Sequence, residues 1–478
     1  MIEKHAIGRA LLMVVAVWAA IYLPALGSLE IKGEEGRRIL PAITMMETHN
    51  YIVPEVGGDP YLRKPPLVNW LVAASFRILG VRNEWSARLP SALMVLAVAI
   101  AFVTVARASL GPTASITAAL IWLTSFGIVE KGRLIEIEAL YVSLFALAFI
   151  FWLTFYEQKR SKWLTWTLPW FFLGLGWLGK GPQHLLFFYA IIAAILVKAG
   201  DLRKLWSFLH VIGVLLMLSI FAAWAIPALL TAKDVDVTAV WARQFAGRLT
   251  GREFEFVGWV QNVPRGIVYF LPWVILLPLV GGTKFSPDKR DIIRGLGLGI
   301  LPSFGVMSLL PGSLPRYAMP LLAPAAWLLA MVLTSENLRW PGWVGGAAFS
   351  GKSRDRFVVG VVITTCVCML VYALAVVPYL QSRQKVRPLA AQIENVVPEG
   401  ETLYAVKPDF QPFLFYLRRP LQFVNDVEDL PAQTRYFFIR AKHETKVDVS
   451  RRWSERKPRA VLRLTDYRDW KITVYAVE

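Results

Sequence analysis

Apolar residues in this chain gather in long runs separated by short polar connections. Runs of that length predict membrane-spanning helices, because lipid offers nothing to unpaired backbone groups and only helices or closed barrels satisfy their own. Hydropathy places about eleven such segments, near residues 9–27, 89–108, 112–129, 138–156, 164–179, 183–198, 206–231, 266–283, 292–310, 317–334 and 357–380. Residues 67–80 are apolar but short, and Arg77 interrupts them, so a re-entrant or interfacial helix fits better than a span. After Leu380 the pattern changes. A helical stretch at Arg387–Val397 precedes strand-like runs at Thr402–Val406, Pro420–Val424, Arg435–Ile439, Ala460–Leu464 and Ile472–Val477. The expected architecture is an all-α polytopic membrane domain over residues 1–380, with a first external loop at 28–88, and a small α/β domain at 381–478. No internal repeat or low-complexity tract is visible.

Composition supports that class. Of 478 residues 56% are hydrophobic and only 18% charged, against roughly a quarter charged in soluble domains; mean hydropathy is +0.48. The formal charge of +18 is not by itself a sign of nucleic acid, since much of it lies in short loops where it orients the chain. Cys366 and Cys368 share one apolar segment two residues apart, which suits neither a disulfide nor a thiolate metal site. The five histidines show no metal-ligand spacing. A divalent metal held by carboxylates stays open. The tryptophans mostly fit interfacial belts. The basic N-terminus ahead of Ala10–Leu26 is similar to a signal peptide, but the apolar run is long enough to favour an uncleaved first span.

The basic loops set an orientation. Lys159, Arg160 and Lys162 mark one loop; Lys198, Arg203 and Lys204 a second; Lys284, Lys289, Arg290 and Arg294 a third; Arg339, Lys352, Arg354 and Arg356 a fourth. These alternate with the remaining loops and share a side with Lys4 and Arg9, which is cytoplasmic by the positive-inside rule. The expectation is a bacterial inner-membrane protein with its N-terminus inside and its C-terminal domain outside. The other loops then carry Glu34, Glu35 and Lys64; Arg133, Glu136 and Glu138; Lys180; Arg243, Arg248 and Arg252; and Arg316 to one external face. Charges at membrane boundaries are costly unless water, a partner or a substrate meets them.

The stretch from Gly33 to Pro66 concentrates such charges, opening on Glu34-Glu35 with Arg37 and Arg38 and closing on Tyr61-Leu-Arg-Lys64-Pro65-Pro66. Further along stand Glu138 at the head of an apolar run, Lys180-Gly181-Pro182, Pro272-Trp273 and Arg316-Tyr317-Ala-Met-Pro320. In their order these elements resemble the bacterial GT-C glycosyltransferases of the dolichyl-phosphate-mannose protein mannosyltransferase type. The lipid A aminoarabinose transferases are similar in layout. Three departures are visible: aspartate is usual at the first acidic position where this chain has glutamate, the second acidic site is also glutamate, and Pro41 should kink or split the expected interfacial helix.

The resemblance implies transfer of a sugar from a polyprenyl-phosphate donor to a lipid, glycan or protein acceptor. An acceptor hydroxyl needs a carboxylate to take its proton, for which Glu34 comes first, then Glu35 and Glu138. The departing phosphate needs fixed cations. Lys64, Arg248 and Arg316 are the leading candidates, and Arg37, Tyr61, Lys180, Arg243 and Tyr317 complete the expected substrate-binding set. A lipid-linked sugar flippase and a glycan polymerase or ligase are the competing readings.

Overall fold

The apolar runs fold as helices, in a computed structural model that describes residues 2–232, 235–249, 254–336, 338–339, 351–450, 453 and 456–477. Seven of the described helices are long and apolar enough to cross a membrane: His5–Tyr22, Glu84–Thr124, Ile137–Glu157, Phe208–Thr231, Lys289–Leu309, Pro315–Leu333 and Gly351–Val396. An eighth arises if Asn262–Val268 and Trp273–Gly282, bent by 94°, form one broken span. This count differs from the expected eleven or so for local reasons. Segments 89–108 and 112–129 are two helices that meet at a kink at Gly111, whose φ of 79° is glycine territory, and they count once within Glu84–Thr124. Lys162–Gly179 is diluted by four tryptophans, and Gln183–Lys198 is short.

Two compact units divide the chain, and neither is continuous in sequence. The first holds Met1–Pro24, Arg63–Val68 and Leu89–Tyr372; the second holds Ala25–Leu62, Asn69–Arg88 and Ala373–Glu478.

In the first unit, helix packing relies on large aromatics and on glycine. Trp122, Trp152, Trp170, Trp224, Trp273 and Trp327 are fully buried. Burial is tolerated where the indole N–H finds an acceptor. Trp122 donates to the Val95 carbonyl at 3.0 Å, Trp170 to the Tyr189 hydroxyl at 3.1 Å and Trp273 to Thr124 Oγ1 at 3.0 Å. Gly295 and Gly299 face Ile195 and Ile191 on the neighbouring helix. A Cβ at either glycine would stand 2.6 Å from the isoleucine Cα, so small residues one turn apart allow the two backbones to approach. Arg133 closes the first helix, donating to the carbonyls of Ile21 at 2.6 Å and Pro24 at 2.5 Å.

In the second unit, Ala373–Glu478 contributes a mixed five-stranded sheet. A two-residue hairpin, β1 (Glu55–Val56) and β2 (Asp59–Pro60), comes first in the chain. The sheet strands are β3 (Leu403–Val406), β4 (Leu421–Val424), β5 (Tyr436–Arg440), β6 (Pro458–Thr465) and β7 (Lys471–Val477), in spatial order β4-β3-β5-β7-β6. β3 pairs in parallel with β4 and β5, and β7 pairs antiparallel with β5 and β6. All five strands and the helix Val386–Val396 fall where the sequence pattern puts them. One face of the sheet buries Tyr404, Val406, Phe437, Ile439, Tyr475 and Val477. Phe437 stacks between Trp453 and Tyr475, with centroids 5.6 and 5.0 Å away.

The same unit holds two helices from the N-terminal loop, Gly36–Thr48 and Leu67–Leu79. Gly36–Thr48 runs unbroken through Pro41, where a kink or split was expected. The missing proline N–H would have met the carbonyl of Arg37, so the loss is confined to one bond near the helix start. Asn69 Nδ2 donates to the Arg38 carbonyl at 2.7 Å and holds the two helices together.

Candidate functional site

The helix Lys162–Gly179 ends at Lys180, and Gly181 follows with φ of 126°, a conformation side chains rarely adopt. His184 secures this turn: Nε2 lies 2.8 Å from the Leu173 carbonyl and Nδ1 lies 3.1 Å from that of Gly181. The turn aims the Lys180 ammonium at the first turn of Ile137–Glu157, where its Nζ stands 3.3 Å from Glu138 Oε1. Arg316 Nε meets the same oxygen at 3.0 Å. The ammonium also sits 4.6 Å from the Tyr317 ring centroid and 5.0 Å from that of Tyr141, an arrangement that favours a cation. Glu138 is only 7% exposed. A buried carboxylate is retained at such a place when cations and hydrogen bonds compensate it.

Of these groups Lys180 and Tyr317 line a cleft of about 330 Å³, together with Arg63, Lys64 and the aromatic residues Trp177, Phe221 and Trp241. Phe221 stacks on Trp177 at 4.8 Å and contacts Trp241 at 5.7 Å. One wall is therefore cationic and the other aromatic. Glu136, just before the helix, lies 3.1 Å from Lys131. Burial pushes its carboxyl above the usual range, and the lysine pulls it back.

The remaining expected residues lie elsewhere. Arg243 is exposed, and its Nε donates to the Ala239 carbonyl on its own helix, although the adjacent Ala242 lines the cleft. The side chain of Arg248 lies outside the described residues, as does Arg252. Glu34, Glu35, Arg37 and Tyr61 belong to the second unit.

There the acidic pair divides into two environments. Glu34, with its side chain 39% exposed, receives Arg37 Nη1 on both oxygens at 2.9 and 3.0 Å. Glu35 is buried and meets Arg88 in a fork, Nε to Oε1 at 2.8 Å and Nη2 to Oε2 at 2.7 Å. Arg88 Nη1 also donates to the carbonyls of Leu26 and Leu29, both at 2.9 Å. Tyr61 accepts from Arg38 Nη1 at 3.3 Å.

Sequence reasoning passed over Arg88, and it also passed over a set of buried carboxylates. Glu30 accepts from the backbone N–H groups of Lys385, Val386 and Arg387 at 3.1, 2.9 and 3.1 Å, capping the helix Val386–Val396. Glu84 accepts from Arg387 Nε at 3.1 Å and from the Tyr416 hydroxyl at 2.7 Å. Burial, then the nearby Glu84, pushes the Tyr416 hydroxyl upward. It stays protonated and also accepts from the Ile31 N–H at 2.6 Å. Only the acidic residues themselves signal this in sequence; their partners lie hundreds of positions away. Among the described residues, no three His, Cys, Asp or Glu side chains converge as a metal-ligand group.

Residues 63–226 match the sequence profile of the dolichyl-phosphate-mannose-protein mannosyltransferase family. The chain is 26% identical over 384 residues to an undecaprenyl phosphate-alpha-4-amino-4-deoxy-L-arabinose arabinosyl transferase of Pseudomonas savastanoi pv. phaseolicola, covering 78% of this chain and 68% of that protein. A Pseudomonas fluorescens protein of the same name is 24% identical over 61% of this chain and 53% of its own length. The matches thus span between about half and two thirds of these curated relatives. Among solved structures, ArnT from Cupriavidus metallidurans superposes in its apo state with a TM-score of 0.72 at 16% identity, covering 99% of this chain and 98% of that one. Its complex with undecaprenyl phosphate gives 0.70 at 18% identity, covering 97% of both. The expectation drawn from the ordered motifs is borne out at the level of fold: the chain is a membrane protein with the GT-C fold of ArnT, similar in part of its sequence to the mannosyltransferase family and to the aminoarabinose transferases.

Proposed function

We propose that this protein moves a sugar from an undecaprenyl-phosphate-type donor to an acceptor at the membrane surface. The observation that carries the proposal is the cleft with two unlike walls. A phosphate attached to a polyprenyl chain needs fixed cations at one end and apolar surface beside them, and Lys64, Lys180, Trp177 and Phe221 offer that combination. Glu138 is assigned to orienting Lys180 and Arg316, both of which engage its Oε1. Cations held in place before the reaction favour the charge that develops on the leaving phosphate without having to reorganise. The proton-accepting role stays with Glu34. Arg37 uses one acceptor position on each Glu34 oxygen, and a carboxylate has about four in all.

The relatives' names point to 4-amino-4-deoxy-L-arabinose as the candidate sugar, and the resemblance to the lipid A aminoarabinose transferases makes lipid A the candidate acceptor. The basic loops support a cytoplasmic N-terminus and an extracytoplasmic C-terminal domain. A reporter fused after Lys284 should read cytoplasmic and one after Ser382 external; the same side for both would remove this orientation.

The test of function uses purified protein in nanodiscs, undecaprenyl-phosphate aminoarabinose and lipid A, with the product followed by mass spectrometry. Transfer is expected with the wild-type chain. Lys64→Ala and Lys180→Ala should each lower kcat/KM for the donor by about 10–100-fold, the scale of a hydrogen bond to a charged group. Unchanged donor dependence in both variants would sink the assignment of the cleft.

A further inference from the structure

We infer that Phe410 and Tyr467, both from the C-terminal sheet region, are positioning residues for Glu34; this rests on the reading of Glu34 as the proton acceptor. The acidic turn is short, a single 3-10 turn at Gly33–Glu35 entered from an extended Lys32. The buried Glu35–Arg88 fork anchors its far end, and its start is held from the C-terminal region. The Gly33 N–H donates to the Tyr467 hydroxyl at 2.9 Å, and Gly33 has a left-handed φ of 61°. Gly36 opens the following helix directly against the backbone of the segment before β4. A Cβ there would lie 3.1 Å from the Phe410 carbonyl oxygen and 3.3 Å from Pro412 Cγ.

The same phenylalanine holds the next group in line. The Arg37 guanidinium lies 3.8 Å above the Phe410 ring, and Arg468 stands 4.8 Å from it. Arg37 in turn grips both oxygens of Glu34. A guanidinium fixed over a ring face presents its N–H fork in one direction, so the ring sets where the Glu34 carboxylate points.

Tyr467 is held just as firmly. It sits in the β6–β7 turn, where buried Asp466 accepts from the backbone N–H groups of Arg468 and Trp470, both at 2.8 Å, and its own N–H donates to the Trp470 carbonyl at 2.9 Å. The aromatic residues therefore carry the geometry of the sheet to Gly33 and Arg37, while the Glu35–Arg88 fork holds the other end of the turn. A misplacement of about 1 Å at a reacting group can cost on the order of 10²-fold in rate.

Three substitutions and two readouts test this. Phe410→Leu keeps apolar bulk but removes the ring face, and should lower kcat about 10-fold or more with the donor KM unchanged. Phe410→Tyr keeps the face and should restore turnover. Tyr467→Phe removes one hydroxyl, and should speed hydrogen exchange in a peptide covering residues 31–37 whether or not turnover is measured. Wild-type kcat in Phe410→Leu, equal losses in the leucine and tyrosine variants, or unchanged exchange in Tyr467→Phe would each overturn the positioning role. The base reading fails separately: it is lost if Glu34→Gln turns over at the wild-type rate. A Glu34→Gln variant that is inactive beside a fully active Phe410→Leu overturns positioning alone.

Discussion

Glu34→Gln is expected to lower sugar transfer by about 10²–10⁴-fold, the usual contribution of a general base, while leaving folding and donor binding intact. The amide keeps the side chain's shape and can still accept from Arg37, but it cannot take a proton. Glu34 is the exposed member of the acidic pair, with 39% of its side chain accessible, so the substitution leaves no buried charge behind. Glu34→Asp should retain partial activity, since the shorter side chain withdraws the carboxylate from Arg37 without removing its basicity. Steady-state transfer and donor-binding assays on the three proteins distinguish these outcomes. Wild-type transfer by Glu34→Gln would end the assignment, and Glu138 would need to be reconsidered as the base.

Arg88→Met should have the larger effect on stability, a loss of roughly 3–5 kcal/mol, typical of removing one partner from a buried ion pair. Glu35 and Arg88 are 4% and 3% exposed. The substitution leaves the Glu35 carboxylate buried without its guanidinium and takes a donor from the carbonyls of Leu26 and Leu29. Glu35→Gln should cost less, because the amide oxygen can still accept from Arg88. The double variant Glu35→Leu with Arg88→Met should recover part of the loss, since a neutral pair carries no stranded charge. Thermal unfolding in detergent reads all of this. A wild-type midpoint for Arg88→Met would show that the pair is not structural.

The contrast between these neighbours shows what sequence can and cannot convey. Glu34 and Glu35 look alike in the chain, and Arg37 and Arg38 are the arginines nearest to both in sequence. Arg37 in fact serves Glu34, while Glu35 faces Arg88, 53 positions away. Adjacent residues leave a turn in different directions, and only the packing of a distant helix decides which one is buried. The ion cluster around Lys180 was more legible. Glu138, Lys180 and Arg316 each stand where an apolar run begins or ends, and a charge at such a place needs a partner. That logic brought out the residues but not their pairing, because Glu138 holds Lys180 and Arg316 together only once three helices have met. The strands of the C-terminal region were legible for a simpler reason: their apolar residues form short runs between polar turns. Arg248 remained an expectation, its side chain lying outside the described residues.

The discontinuity of the second unit bears on the order of synthesis. Its early pieces, Ala25–Leu62 and Asn69–Arg88, are separated from Ala373 by about 285 residues. At the usual pace of translation the ribosome needs roughly 15–60 s to make the intervening stretch. During that interval Glu30 has no helix end to cap, Glu84 lacks Arg387 and Tyr416, and Gly33 lacks Tyr467. The acidic turn can reach its final shape only after the last strand has left the ribosome. A chain that stops early therefore lacks the C-terminal contacts of the acidic turn, so completion of synthesis doubles as the last assembly step around the proposed proton acceptor.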